Sequence, residues 1–291
     1  MAKPRYTFKQ FQAQYPDDDA CLRAIFERRY GNLDTCPKCG VVGPLSKIEG
    51  RRAFACKEGC HTYPCAGTVF EHSPTNLTKW FHAMYLFTAT RNGVSGKELE
   101  RQLGVTYKCA WRIGHQIRNL MAARLKAQHP GPLRGHVEVD ETYLGGKRKG
   151  QGNKKTKTIV MGMVERNGFL KTQVVESARR SSLRPVIALN IKPGSVISTD
   201  ELKSYSNLTA MGYVHGTVNH SAGEYVAGIH STNMLEGFWS HLKRGIVSTH
   251  VSISRKWTQN YVDEWAFRYN NREAPADQFR RMLAQISQPS S

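Results

Sequence analysis

The chain has no apolar run approaching the roughly 18 residues that would mark a membrane span. Neither end carries a basic amphipathic helix. The opening residues, MAKPRYTFKQFQAQYPDDD, lack the apolar stretch of a secretory signal. An intracellular protein with no membrane partner is therefore expected. Acidic residues are scarce: 23 Asp+Glu stand against 42 Lys+Arg, a formal net charge of +19. A surplus of that size points to a polyanionic partner, DNA or RNA first. No internal repeat is present. The cysteines (21, 36, 39, 56, 60, 65 and 109) number seven, and an odd count without an export signal argues against a disulfide framework.

What is present falls into segments. Residues 1–33 read as a helical lead-in, with Cys21, Leu22, Ile25 and Phe26 at helical spacing. Residues 34–72 are rich in cysteine, glycine and aromatics, so 1–72 form a first module. Residues 73–130 look all-helical, and 134–272 alternate strands and helices. The stretch 273–291 ends in Gln, Ser and Pro and is expected to be a frayed, flexible tail.

Cys36-Pro-Lys-Cys39 and Cys56-Lys-Glu-Gly-Cys60 stand sixteen residues apart. Two close thiolate pairs supply tetrahedral zinc, and four protein ligands leave no open position, so one structural Zn²⁺ is expected. The second pair carries one extra residue, Gly59. His61 could replace Cys60, and Cys65 is a possible spare ligand.

Ser95–Thr106 followed by Tyr107–Met121 fits helix, tight turn, helix, with Gly104 ending the first helix and Thr106 capping the second. In the second helix Ala110, Ile113, Ile117 and Leu120 share an apolar face. Lys108, Arg112, His115 and Arg118 lie largely elsewhere and could reach DNA. An ordinary helical hairpin is the competing reading. The preceding segment around Leu77, Trp80, Phe81, Met84 and Tyr85 reads as core.

The region 134–272 carries the chemistry. Val137 and Val139 alternate with His136, Glu138 and Asp140, as in a half-buried strand. Thr158–Arg166 and Leu170–Ser177 flank the Asn167-Gly168 turn and form a hairpin. A helix follows over Ser182–Ile191, then a strand over Ser195–Asp200, a helix near Ser204–Met211, a strand near Tyr213–Val218, and two helices beyond Ser231. Meander, helix, strand, helix, strand is the order of an α/β, ribonuclease-H-like fold. From Thr232 to about Ile246, Asn233, Glu236, Ser240 and Lys243 fall on one helical face, opposite Met234, Leu235, Phe238, Leu242 and Ile246. Seven-residue spacing puts Glu236 and Lys243 beyond ion-pair range. Three carboxylates that could meet in space suit a hard cation such as Mg²⁺ and metal-assisted phosphoryl transfer. The loop 145–158, with Lys147, Arg148 and Lys149 among its six Lys/Arg, would grip phosphates.

These motifs resemble a DDE-type transposase of bacterial insertion sequences, in the ISXO2-like group with an N-terminal zinc ribbon. The resemblance rests on CPKCG at 36–40, GTVFEHS at 67–73, LGV at 103–105, VDETYLGGK at 139–147, STD at 198–200, HSTNMLEGFWSHLKRG at 230–245 and YVDEWAFRYNNR at 261–272. It implies a retroviral-integrase-like catalytic domain behind a zinc ribbon and a helix-turn-helix module. Asp140, Asp200 and Glu236 would be the acidic triad, holding two Mg²⁺ or Mn²⁺, with Asn233 as an alternative third ligand. Lys243 would contact the transposon end, and Arg244 would add a basic contact beside it. Cleavage at element ends and 3′-OH strand transfer into target DNA are implied. So are a dimer or larger assembly on paired ends and a place in the bacterial cytoplasm, on the nucleoid. A catalytically inactive DNA-binding regulator and a structure-selective nuclease of the same fold remain the alternatives.

Overall fold

Alternation at residues 136–144 builds β4 (His136–Leu144), the central strand of a five-stranded sheet. The structure, a computed structural model, describes residues 5–145, 157–218 and 226–286. β4 pairs antiparallel with β5 (Thr158–Glu165), and β5 with β6 (Leu170–Val175). Asn167, at φ +58°, makes the turn between them. The helix α6 (Arg180–Asn190) leads to β7 (Val196–Thr199), parallel to β4, and β8 (Val214–Thr217) lies parallel to β7. Spatial order is β6-β5-β4-β7-β8.

Both faces of this sheet are covered. Val137, Val139, Met161 and Ile197 pack with Leu183 and Ile187 of α6 on one side. Leu144, Val160 and Val164 pack on the other against Leu235, Phe238, Trp239 and Leu242 of α7 (Asn233–Gly245) and Val262 and Trp265 of α8 (Thr258–Asn270). A short hairpin of β9 (Val226–Ala227) and β10 (His230–Ser231) precedes α7. The helix expected over 204–211 is instead two 3₁₀ turns, Lys203–Tyr205 and Thr209–Met211. Asn207, at φ +64°, interrupts the helical path, and buried Tyr205 and Leu208 pin each side of it.

Backbone contacts divide the chain into Leu125–Glu273, which holds this sheet, and Met1–Arg124 together with Ala274–Ser291. The second of these units contains α1 (Phe8–Gln14), α2 (Asp18–Tyr30), a three-stranded ribbon β1-β2-β3 (Ser46–Lys47, Phe54–Ala55, His61–Thr62), α3 (Leu77–Ala89) and α4 (Gly96–Leu103). The long α5 (Tyr107–Gln128) begins there. Ser95 caps α4 by accepting the Glu98 N–H, Gly104 ends it in the left-handed region, and Thr106 accepts the Cys109 N–H at the start of α5.

The expectation of a flexible tail is corrected for residues up to 286. α9 (Gln278–Leu283) buries Phe279, Met282, Leu283 and the following Ile286. The Phe279 ring lies 5.5 Å from Tyr15 and 5.9 Å from Phe11. Phe279, Met282, Leu283 and Ile286 follow the i, i+3, i+4, i+7 pattern of an amphipathic helix. The polar composition further on hid it.

Candidate metal centres and nucleic-acid interface

The four ribbon cysteines converge. The Sγ atoms of Cys36, Cys39, Cys56 and Cys60 lie within 4.8 Å of one another. Gly59, the extra residue, takes φ +76°, and its N–H returns to the Cys56 carbonyl at 3.0 Å, which turns the second pair inward. Backbone N–H groups of Cys39 and Lys38 aim at the Cys36 sulfur and bring its thiol down to about 7. Four converging sulfurs fit a closed tetrahedral zinc site. Cys65 is buried outside the set, and burial pushes its thiol up to about 11.

The acidic centre is built on β4. Glu138, Asp140 and Thr142 point to the α7 side of the sheet, while Glu141 points to the opposite side. Glu138 is 1% exposed. Its carboxylate accepts the Met234 N–H at 3.0 Å, the Leu235 N–H at 3.4 Å and the Ser231 hydroxyl at 3.0 Å. It therefore caps α7 from a neighbouring strand and fixes that helix to the sheet. Burial holds Glu138 above the usual carboxylate range despite those donors.

Asp140 accepts the Trp239 indole N–H at 2.9 Å. Burial, followed by the charges of Glu141 and Asp200, pushes its carboxyl up to about 7. Asp200 follows the end of β7 and accepts the Leu202 N–H at 3.1 Å. Glu141 accepts the Tyr205 hydroxyl at 2.6 Å, and it is raised by burial and by Asp200. Carboxylates held up in this way by burial and by a neighbouring acid suit a cation, whose charge reverses the penalty. Glu236 is exposed, and its Oε1 accepts the Thr232 hydroxyl at 3.3 Å. Among the described residues the four cysteines are the one group of three or more potential ligands placed to hold an ion. Asp140 on β4 and Asp200 beyond the end of β7 are near enough for the charge of Asp200 to raise the Asp140 carboxyl.

Sequence reasoning missed Trp239. The signal was an indole N–H on the buried side of an amphipathic helix, which needs an acceptor. The space it occupies comes from Gly162, the cross-strand partner of Asp140: a Cβ there would meet the Trp239 ring at 2.6 Å. Gly162→Ala is expected to destabilise the protein by about 1–3 kcal/mol. A lower urea midpoint is the outcome to look for. Wild-type stability would rule out this packing role. Also missed was the chain His136–Ser198–His230. The Ser198 hydroxyl lies 2.6 Å from His136 Nε2 and 2.8 Å from His230 Nδ1, tying β10 to β4 and β7 just before α7.

The basic residues divide. Lys108 and Arg112 are exposed one turn apart on α5. Lys243 and Arg244 are exposed at the end of α7. Arg118 is not at the surface: it is 3% exposed, with its guanidinium 5.0 Å from the Phe87 ring centroid. His115 is likewise buried. The buried side of α5 is wider than the apolar residues alone suggested, because Gly114 admits Leu99, Phe87 and the Arg118 side chain beside it. Lys147, Arg148 and Lys149 lie outside the described residues.

Known proteins match along the chain. Residues 132–270 match the family model described as an ISXO2-like transposase domain, and residues 16–63 match a transposase zinc-ribbon domain. A Halobacterium salinarum protein, "Uncharacterized protein in transposable element ISH50", is 27% identical over 251 residues, covering 79% of each chain. A Haemophilus influenzae "Uncharacterized transposase-like protein" is 30% identical over 102 residues, covering 35% of this chain and 81% of its own length. Among solved structures, a "Mos1 transposase paired-end complex with left transposon end" aligns at 12% identity and a TM-score of 0.31, over 72% of this chain and 80% of the other.

Proposed function

Because this chain belongs to the ISXO2-like transposases that carry a transposase zinc ribbon, we propose that it cuts DNA at insertion-sequence ends and joins the freed 3′-OH to target DNA. The observation that supports the proposal is the cluster of acids around β4, where burial and the charges of Glu141 and Asp200 push Asp140 up to about 7. We read the five-stranded sheet as ribonuclease-H-like. Asp140, Asp200 and Glu236 are the residues that would hold two Mg²⁺ or Mn²⁺ ions, with Asn233 as the alternative to Glu236. When bound, the ions supply positive charge at the phosphate oxygens.

The protein's own residues position the strands. Glu138 and Trp239 lock α7 over β4, so the helix bearing Glu236 and Lys243 is held rigidly beside Asp140. Lys243 and Arg244 hold the phosphate backbone at the last turn of α7. Lys108 and Arg112 on α5 contact the element end, and Lys147, Arg148 and Lys149 extend the grip on phosphate. Water attacks the scissile phosphorus and frees a 3′-OH. That hydroxyl then attacks a target phosphorus in line, displacing the target's own 3′ oxygen. Both displacements demand positioning and charge stabilisation more than covalent chemistry. A dimer or larger assembly on paired ends, acting on the nucleoid in the cytoplasm, accompanies this reading.

The test is a Mg²⁺-dependent cleavage and joining assay on DNA carrying the element's ends. Asp200→Asn is expected to lower both products by about 10³-fold or more. Normal rates in that variant would overturn the assignment. Hydrolysis without joined product would move the reading to a nuclease, and end binding without either product would move it to a regulator.

A further inference from the structure

β4 and β7 pair in parallel from His136↔Val196 to Glu138↔Ser198. Asp140 and Asp200 each lie two residues past that last pair, so the ladder ends before it reaches them. A side-chain bond joins the two segments there. Tyr205, fully buried in the core between the sheet and α6, donates its hydroxyl to Glu141 Oε2 at 2.6 Å. Glu141 follows Asp140 on β4. Tyr205 also closes the turn that starts at Asp200. The Leu202 N–H donates to Asp200 Oδ1 at 3.1 Å, and the Tyr205 N–H donates to the Leu202 carbonyl at 2.9 Å. Asp200 and the turn are therefore one hydrogen-bonded unit, and the tyrosine ties that unit to β4. Burial and the charges of Glu141, Asp140 and Asp200 hold the Tyr205 hydroxyl well above its usual range, so it stays a donor among these acids.

We propose that the Tyr205–Glu141 hydrogen bond is a positioning clamp that sets the spacing of Asp140 and Asp200 and so makes the acidic centre prefer Mg²⁺ over Ca²⁺. The clamp rests on the reading of Asp140 and Asp200 as cation ligands. Mg²⁺ demands near-octahedral oxygens at roughly 2.0–2.1 Å, whereas Ca²⁺ accepts roughly 2.3–2.6 Å and irregular coordination. Two carboxylates on separate strands can discriminate between these ions only if their separation is held. Pairing between β4 and β7 has stopped by that point, and a hydroxyl anchored in the core takes its place. Glu141 points to the α6 side, toward Tyr205, so its part is to hold the turn that carries Asp200. Hydrogen-bond partners standing behind metal ligands are worth about 10–100-fold in metal affinity.

The experiment uses full-length, zinc-loaded protein without DNA, so that cation binding is read apart from cleavage. Mn²⁺ serves as the reporter, its free signal followed by electron paramagnetic resonance, and Mg²⁺ and Ca²⁺ are measured by displacing it. Tyr205→Phe keeps the ring in the core and removes only the hydroxyl. It is expected to weaken Mg²⁺ binding by about tenfold or more. Ca²⁺ binding should stay within about threefold of wild type, so the preference for the smaller ion falls. Tyr213→Phe is the structural control. Tyr213 lies in the same core, and its hydroxyl donates to the Ile191 carbonyl at 3.0 Å, away from the acids. That variant should leave both affinities unchanged. Wild-type Mg²⁺ affinity in Tyr205→Phe overturns the clamp. Equal losses for Mg²⁺ and Ca²⁺ do so as well, and so does the same change of preference in Tyr213→Phe. Asp200→Asn separates the two levels of the argument. If it loses the Mn²⁺ that wild type binds while Tyr205→Phe behaves as wild type, the clamp alone falls. If wild type binds no Mn²⁺, or Asp200→Asn binds it equally well, the acidic centre falls and the clamp with it.

Discussion

Asp140→Asn is expected to abolish DNA cleavage and, at alkaline pH without divalent cations, to make the protein more stable. The two effects share one cause. Asp140 is partly buried beside Glu141 and Asp200, and its carboxyl is pushed up to about 7. An unfolded chain would hold it near ~3.9. The folded state therefore binds this proton more tightly than the unfolded state does. Its stabilising contribution is fully present below about pH 4 and is lost as pH rises through about 7. The loss at pH 8 is on the order of 2–4 kcal/mol. Asparagine stays neutral and keeps an oxygen for the Trp239 indole N–H. Melting curves at pH 5 and pH 8, with and without Mg²⁺, provide the check. Without Mg²⁺ the variant should melt several degrees above wild type at pH 8, with a clearly smaller gap at pH 5. Mg²⁺ should raise the wild-type midpoint at pH 8 and leave the variant almost unmoved. A variant that melts below wild type at pH 8, or that responds to Mg²⁺ as wild type does, would show that Asp140 is not a strained cation ligand.

Removal of zinc should produce the second large effect. The ribbon strands β1, β2 and β3 are two residues each. Leu45, Ala53 and Phe54 supply much of the apolar burial between the cysteine turns. A core of that size does not hold a ribbon by itself. Zinc on four thiolates contributes apparent free energies of about 10–16 kcal/mol in small zinc domains. Cys56→Ser, or a strong chelator, is therefore expected to release the metal and unfold residues 34–62, with protease cuts appearing there first. The strands of the Leu125–Glu273 unit should keep their hydrogen-exchange protection, since none of the four cysteines lies in it. Cys65→Ser should retain zinc, because Cys65 stands outside the converging set. Atomic absorption and limited proteolysis read both outcomes. A ribbon that stays protected after complete zinc loss would overturn a structural role for the metal.

Much of this was written in local pattern. Period-two alternation around Asp140, the Asn167-Gly168 turn and the apolar stripe of α7 depend on neighbours within a few residues, so the chain itself announces them. The zinc ligands were legible for the same reason, since knuckle turns join close pairs. What local pattern left open was the choice among Cys60, His61 and Cys65, and Gly59 settled it by taking a left-handed turn that directs Cys60 inward. Arg118 shows the opposite case. Its residue type predicts a surface cation, but the helices beside α5 cover it.

The sequence by itself determined most of the elements and their order, though not the turns at 203–211 or α9, and with them the basic surplus and the candidate acids, because periodicity, turn chemistry and charge are properties of short segments. Only the tertiary structure decided what each acid does. Glu138 and Asp140 share a strand face two residues apart, yet one caps α7 and the other accepts an indole N–H beside Asp200. Those roles depend on partners about a hundred residues away in the chain, across the sheet, and no local pattern specifies which distant donor a buried carboxylate will meet.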